Sequence, residues 1–426
     1  MAIPRLGLPF MAEAVTTKER VPTFQSLRIR NFRLFFGGQL ISQVGNWLTN
    51  IAQALLVLHI THNNGIAVGG LSACQYLPVL LLGSWTGLVA DRHDKRTMLI
   101  IVQSCAMLQS FMLATLAFIG HPPLIAIYLV ASIGGVCTSF DNPTRRSFVV
   151  EMVPEEYMQN AVSLNSALMT SARIFGPALA GLLVITVGFG WCFTIDGISY
   201  LAVLWGLWRM NTAEIRASKP TDKRKGQIRE GYRYMRSVPD LFVPLVMMAI
   251  VGTLAFNLGT VLPLYTKKTF HGSDTTFTLL YSIVSIGSFV GALVSARRRT
   301  ITVRSVANGA GLFGISMMGL VLAPTLHFAF PLGVFLGFAS VVFMTASTAI
   351  VQVRADPAMR GRVLSLQAMV FLGSTPIGGP IMGTVCQLWG ARYALLIGAL
   401  GCFGSSAWGH FKVRQAAQAP EMVQAS

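Results

Sequence analysis

The chain has 426 residues, of which 53% are hydrophobic and 12% charged, about half the charged share of a soluble domain (~25%). A net charge of +17 in a soluble protein would point to nucleic acid. So apolar a composition excludes that partner and makes the chain an integral membrane protein.

Residues 1–33 carry Arg5, Lys18, Arg20, Arg28, Arg30 and Arg33, with no apolar core and no clear cleavage site, so a secretory signal is not expected. The alternation of bases and apolar residues over 24–36 predicts a segment lying along the membrane surface. Twelve apolar runs follow, at 34–58, 66–90, 97–119, 124–140, 161–187, 191–208, 241–263, 276–296, 305–324, 328–351, 364–388 and 393–409. Runs near 20 residues are long enough to cross a bilayer, and without water in its core they must do so as helices. Only Arg173 and Asp196 place a formal charge inside a run.

Alternating the loops leaves 29 of the 33 Lys and Arg on the side of the N-terminus and three on the other. Basic loops stay inside, so both termini are expected in the cytoplasm. The predicted organisation is an N-terminal segment 1–33, a six-helix half 34–209, a linker 210–239, a second half 240–411 and a tail 412–426. Within the linker, Gln227–Arg236 has the composition of a short basic helix at the membrane surface, against anionic lipid.

Polar residues recur along the first run at helical spacing: Gln39, Ser42, Gln43, Asn46, Thr49, Asn50 and Gln53. Steps of three and four put them on one face. Such a face turns from lipid, either toward a water-filled cavity, the reading preferred for Gln39, Gln43, Asn46, Asn50 and Gln53, or into helix–helix hydrogen bonds. Between the second and third runs the chain reads Gly87-Leu88-Val89-Ala90-Asp91-Arg92-His93-Asp94-Lys95-Arg96, an acid and bases where a helix meets water. Asp141 ends the fourth run and can reach Arg145 or Arg146 one turn on, or Arg92 across the bundle; a solvated surface cluster is the plainer alternative. Arg173 near the midplane and Asp196 closer to the outer side are candidates for coupling protons to substrate, because intramembrane charges are costly; a structural pin and a neutral hydrogen-bonded acid are the alternatives. Gly176, Pro177 and Gly181 fit close helix packing with a local bend.

The halves repeat. Gly176-Pro177 and Gly181 return as Gly379-Pro380 and Gly383, Ser163-Leu164-Asn165 as Ser365-Leu366-Gln367, Pro154 as Pro357, and Gly87…Asp91 as Gly291…Ser295. A near-constant offset marks two parallel repeats.

The Gly87–Arg96 spacing, G-x-x-x-D-R-x-x-K-R, resembles the signature between helices 2 and 3 of major facilitator superfamily transporters, departing at Asp94, where many members have Gly. Arg30-Asn31-Phe32-Arg33 with Gly45-Asn46, Asp141-Asn142-Pro143-Thr144-Arg145-Arg146, Ala161…Leu164-Asn165…Arg173…Gly176-Pro177…Gly181 and Arg360-Gly361-Arg362-Val363 extend the resemblance to the drug-exporter branch that includes the enterobactin exporter. It implies an all-α membrane fold of twelve helices in two pseudo-symmetric halves, and a proton-coupled, alternating-access exporter of small amphipathic molecules, drug-like or siderophore-like, in the bacterial inner membrane. It also implies a gating set of Gly87, Asp91, Arg92, Lys95 and Arg96 with Asp141 and Arg145. There the Asp91 carboxylate faces the N-terminus of the eleventh membrane helix, near Leu364, whose partial positive charge favours it. The expected partners are the substrate, protons and the lipid bilayer, with no nucleic acid, and the protein is expected to act as a monomer. No P-loop, H-E-x-x-H or serine-elbow motif is present, and the seven histidines have no ligand spacing; no enzyme activity, cofactor or metal is expected. A lipid or lysolipid translocator and a non-transporting sensor on the same fold remain open.

Overall fold

The computed structural model of the chain describes residues 24–216, 227–296, 301–356 and 359–424; within its helices the side chains of Ser84, Leu88, Asp91, Arg173, Ile174, Pro177 and Ala178, and those of 227–229, 416, 417 and 419–424, lie outside the described residues. The described elements are helical: α1 Arg30–Ile60, α2 Gly65–Arg92, α3 Lys95–Phe118, α4 Leu124–Glu151, α5 Glu155–Arg209, α6 Gln227–Ser237, α7 Pro239–Leu254, α8 Leu258–Leu264, α9 Asp274–Ala296, α10 Val303–Leu322, α11 Leu326–Arg354, α12 Arg360–Leu388 and α13 Ala391–Gln424. Gly188, at φ 80°, divides α5 into two legs; the left-handed conformation is open to glycine and strained for other residues. Among the described residues, ten stretches are long and apolar enough to cross a membrane. The first leg of α5 and the polar-striped α1 are helical throughout the expected runs 161–187 and 34–58.

Local chemistry sets the turns. His62 and Asn63 take positive φ, and the Asn64 side chain then caps α2 by accepting from the amides of Ile66 and Ala67. Asp94 caps α3, its carboxylate accepting from the Thr97 amide at 2.7 Å. That assigns a local task to the residue where the chain departs from the family signature.

The first half packs α1 on α5, α2 on α4 and α3 on both α4 and α5; the second packs α9 on α11, α10 on α13 and α7 on α12. The halves meet where α2 runs along α12 and α5 along α9. Along the first seam, a Cβ added at Gly65 or Gly69 would strike the backbone of Gly383 or Gly379, and one at Gly181 would strike Thr278 in the second. The Gly65 amide donates to Gln387 Oε1 at 2.9 Å, and Ser72 and Thr260 share a 3.1 Å hydrogen bond. These joints lie at the end of the bundle opposite the basic loops.

Two expectations need correction. The run 124–140 is the start of a helix that continues to Glu151; its charges neutralise one another inside the bundle instead of ending the helix at water. Pro143 within it cannot bond the Ser139 carbonyl, and that carbonyl accepts from Thr86 Oγ1 at 2.8 Å instead. The run 241–263 breaks at 255–257 between α7 and α8. The basic helix expected over 227–236 is present as α6, with one face on protein: Met235 is buried, Glu230 pairs with Arg362 at 2.9 Å, and the Tyr234 hydroxyl accepts from the Asp356 amide. In addition, α13 continues to Gln424, through the residues given to the tail.

Candidate functional site

The polar face of α1 determines the interior of the first half. Ser42, Gln43, Asn46, Thr49, Asn50 and Gln53 line a cavity of about 190 Å³. Its other walls come from α2 to α4, from Met169 on the first leg of α5, and from Asp196 and Tyr200 on the second. Gln39 does not line it; it is buried one turn away, its Oε1 accepting from Gln43. Gln75 Nε2 donates to Gln53 Oε1 at 2.8 Å, joining α2 to α1.

Two carboxylates of different depth share this space. Asp196 Oδ2 accepts from Thr49 Oγ1 at 2.6 Å and Ser110 Oγ at 2.7 Å, so α1 and α3 both hold it. Its Oδ1 has no partner among the described residues. Asp141 pairs with Arg145 one turn on, and its Oδ1 accepts from Gln103 Nε2 at 2.7 Å. Both members of the pair are 7% exposed. This is a buried ion pair, not a solvated cluster, and Asp196 is therefore not the one carboxylate within a span. Removing one member of such a pair costs about 3–5 kcal/mol.

The other expected gating residues divide. Lys95 reaches Glu151 at the end of α4 at 2.5 Å, both buried. Arg96 Nε donates to the Leu207 carbonyl at 2.7 Å, meeting orphan carbonyls at the C-terminus of α5, where a cation is favoured. Both contacts stay within the first half. Arg92 is exposed, and a Cβ on Gly87 would meet nothing within 4 Å among the described residues, so none of their packing contacts demands glycine there. The side chains of Asp91, Arg173 and Pro177 lie outside the described residues; their backbones are helical. Gly176 packs on Trp47 and Gly181 on Thr278, so the two glycines serve different interfaces, one within the half and one between halves.

Several site residues escape sequence reading: Gln75, Gln103, Gln109, Ser110 and Tyr200. The three glutamines were detectable, because amides inside apolar runs face the same lipid penalty that singles out the α1 stripe. In the second half the comparable interior is aromatic: Phe256, beside the α7–α8 break, has ring centroids 5.2 Å from Phe313 and 5.3 Å from Phe371.

A family profile described as transmembrane secretion effector matches residues 21–425. The chain is 25% identical over 367 residues to the staphyloferrin A transporter of Staphylococcus aureus, covering 84% of this chain and 90% of that one. It is 23% identical over 365 residues to macrolide efflux protein A of Streptococcus pyogenes, covering 82% and 87%. The identity to the enterobactin exporter EntS of Citrobacter koseri is 23% over 362 residues, covering 83% and 84%. Among solved structures, a POT family transporter in complex with 5-aminolevulinic acid superposes with a TM-score of 0.73 at 10% identity, covering 92% and 96%.

Proposed function

The chain belongs to the transmembrane secretion effector family of major facilitator transporters, and on that footing we propose that it is a proton-coupled exporter of small amphipathic molecules, drug-like or siderophore-like, working by alternating access. It is a multi-pass membrane transporter and not an enzyme. The observation that carries the proposal is the polar cavity of the first half, lined both by Asp196, one of whose carboxylate oxygens has no partner among the described residues, and by the Asp141–Arg145 pair. Intramembrane ionisable groups that face a cavity serve ion or substrate movement by default. The names of the relatives, a siderophore transporter, a siderophore exporter and a macrolide efflux protein, favour outward movement.

In this reading twelve crossings place the basic loops and both termini in the cytoplasm of a bacterial inner membrane, and the monomer is the working unit. The joints between halves then lie on the outer side, which gives an inward-facing conformation. Asp196 takes protons from outside, and Arg173, deeper and always charged, attracts the ionised acid or an anionic part of the substrate. Asp91 acts as a lock by approaching the N-terminus of α12, a charge–dipole contact worth ~0.3–1 kcal/mol, made in the outward-facing state and broken on opening to the inside.

The test is a proton signal from proteoliposomes on adding staphyloferrin A, enterobactin or a lipophilic cation. The reading requires a signal for at least one of the three that vanishes when the gradient is collapsed. Gradient-independent binding without flux would mark a sensor instead.

A further inference from the structure

Asp141 and Asp196 stand at different depths in one half of the molecule, and they line one cavity. Asp196 lies eight residues past the break at Gly188 and Asp141 seventeen past the start of α4. At about 1.5 Å per residue the two are separated by roughly 13 Å along the bundle axis. Gln103, Gln109 and Tyr200 line the same cavity, the last one turn from Asp196 on the same helix.

Buried polar atoms without a protein partner are rare and call for water or ligand. Among the described residues, four of them belong to side chains that line the same cavity: Gln53 Nε2, Gln103 Oε1, Arg145 Nε and Asp196 Oδ1. A cavity of about 190 Å³ has room for about six waters at ~30 Å³ each.

The second half offers no counterpart. At the repeat offset of 202–204 residues, Asp141 corresponds to Phe343, Met344 or Thr345 and Arg145 to Ser347, Thr348 or Ala349, while Asp196 corresponds to Gly398, Ala399 or Leu400. No Asp, Glu, Lys or Arg occurs in 241–266, 275–296, 305–353, 363–391 or 393–411. Acidic and basic side chains inside the spans belong to one repeat alone.

Building on the reading of the protein as a proton-coupled exporter, we propose that Asp141 is a second proton-carrying site that shares a single proton with Asp196 through water in their common cavity, confining coupling to the first half. When Asp196 holds the proton, Asp141 is ionised and locked to Arg145. When the proton passes along the water to Asp141, the ion pair opens, Asp196 is left as the carboxylate, and Arg145 keeps its charge, so the total charge of the cavity does not change. The groups facing the pair are Gln103 from α3, Cys137 and Arg145 from α4, Met169 from the first leg of α5, and Tyr200 with Asp196 from the second. Arg146 beside them is exposed, Lys95 is engaged by Glu151, and Arg173 follows Met169 by one turn of backbone.

Infrared titration of the purified, reconstituted full chain without substrate tests this, because a protonated buried acid has a carbonyl stretch above the amide band. The wild-type minus Asp141→Asn difference should contain one such titrating band, and wild-type minus Asp196→Asn another. Each substitution should move the midpoint of the other residue's band by more than about one pH unit, and by equal amounts, since coupling is reciprocal. If Asp141→Asn fails to fold with Arg145 unpaired, Asp141→Asn/Arg145→Gln removes both charges and must show the same loss. Absence of an Asp141 band in both variants, or midpoints that ignore each other, would overturn the proposal. No export is measured, so a protein that shows both coupled bands yet moves no probe under a pH gradient would refute the exporter reading and leave the shared proton standing.

Discussion

Gly45 faces Asp196 so closely that a Cβ added to the glycine would collide with the carboxylate Oδ1, and with Ser199 Oγ at 2.6 Å. Absence of a side chain on α1 therefore makes room for an acid on α5. Gly45→Ala is expected to displace the carboxylate from Thr49 and Ser110, with an overpacking cost of about 1–3 kcal/mol. Thermal unfolding in detergent should show the loss. Gly37→Ala, at a position with nothing within 4 Å, serves as the control and should unfold like the wild type.

The Lys95–Glu151 pair ties the α2–α3 turn to the end of α4. Lys95→Met removes one ion pair from a buried carboxylate and should destabilise the protein, by at most about 3–5 kcal/mol. Lys95→Met/Glu151→Leu should recover much of that. A double variant no more stable than the single one would show that the pair contributes nothing of its own.

Asp94 supplies a pH prediction. Burial pushes its carboxyl up, but the hydrogen bonds from Thr97 and the charge of Arg96 outweigh that and hold it below its ordinary value of 3.8. A lowered folded-state value means that the stabilisation is present above the unfolded value and is lost as pH falls through the folded one. The cap should therefore be complete at neutral pH and fade only below about pH 4. Asp94→Ala should cost ~0.5–2 kcal/mol at pH 7, and Asp94→Asn, which still caps, should lose less and remove the acid dependence. A stability difference between Asp94→Ala and wild type that is unchanged from neutral to strongly acid pH would contradict this.

Glycine contacts at the α2–α12 seam make a further prediction. Gly69→Leu places a bulky side chain where only backbone fits against Gly379 and Pro380, so the halves cannot close at that end. A cysteine introduced at Ser72 should react faster with an impermeant thiol reagent in the Gly69→Leu background. Equal rates would mean that the seam yields without opening.

What could be read from the sequence follows its physics. Uncharged runs leave the bilayer-spanning helix as the sole option, so these elements are visible without coordinates, and the shared offset exposes the repeat. Charge was the misleading signal. Asp141, Arg145 and Arg146 look like a run reaching water, because a linear reading cannot know that Gln103 and Arg145 satisfy the Asp141 carboxylate inside the bundle. The break at 255–257 is also invisible, since Leu254-Ala255-Phe256-Asn257 contains neither Gly nor Pro. Partners of Asp196 come from residues 49 and 110, separations that only tertiary packing can close.

Asp196→Asn, assayed by gradient-driven export in proteoliposomes, tests the central claim most directly. A lipophilic cation or siderophore moved by the wild type provides the probe, and its binding is measured in parallel. Asparagine preserves size and can still accept from Thr49 and Ser110, so fold and binding are expected to persist while export ceases to follow the pH gradient. Export by Asp196→Asn with the wild-type dependence on the gradient would contradict the account.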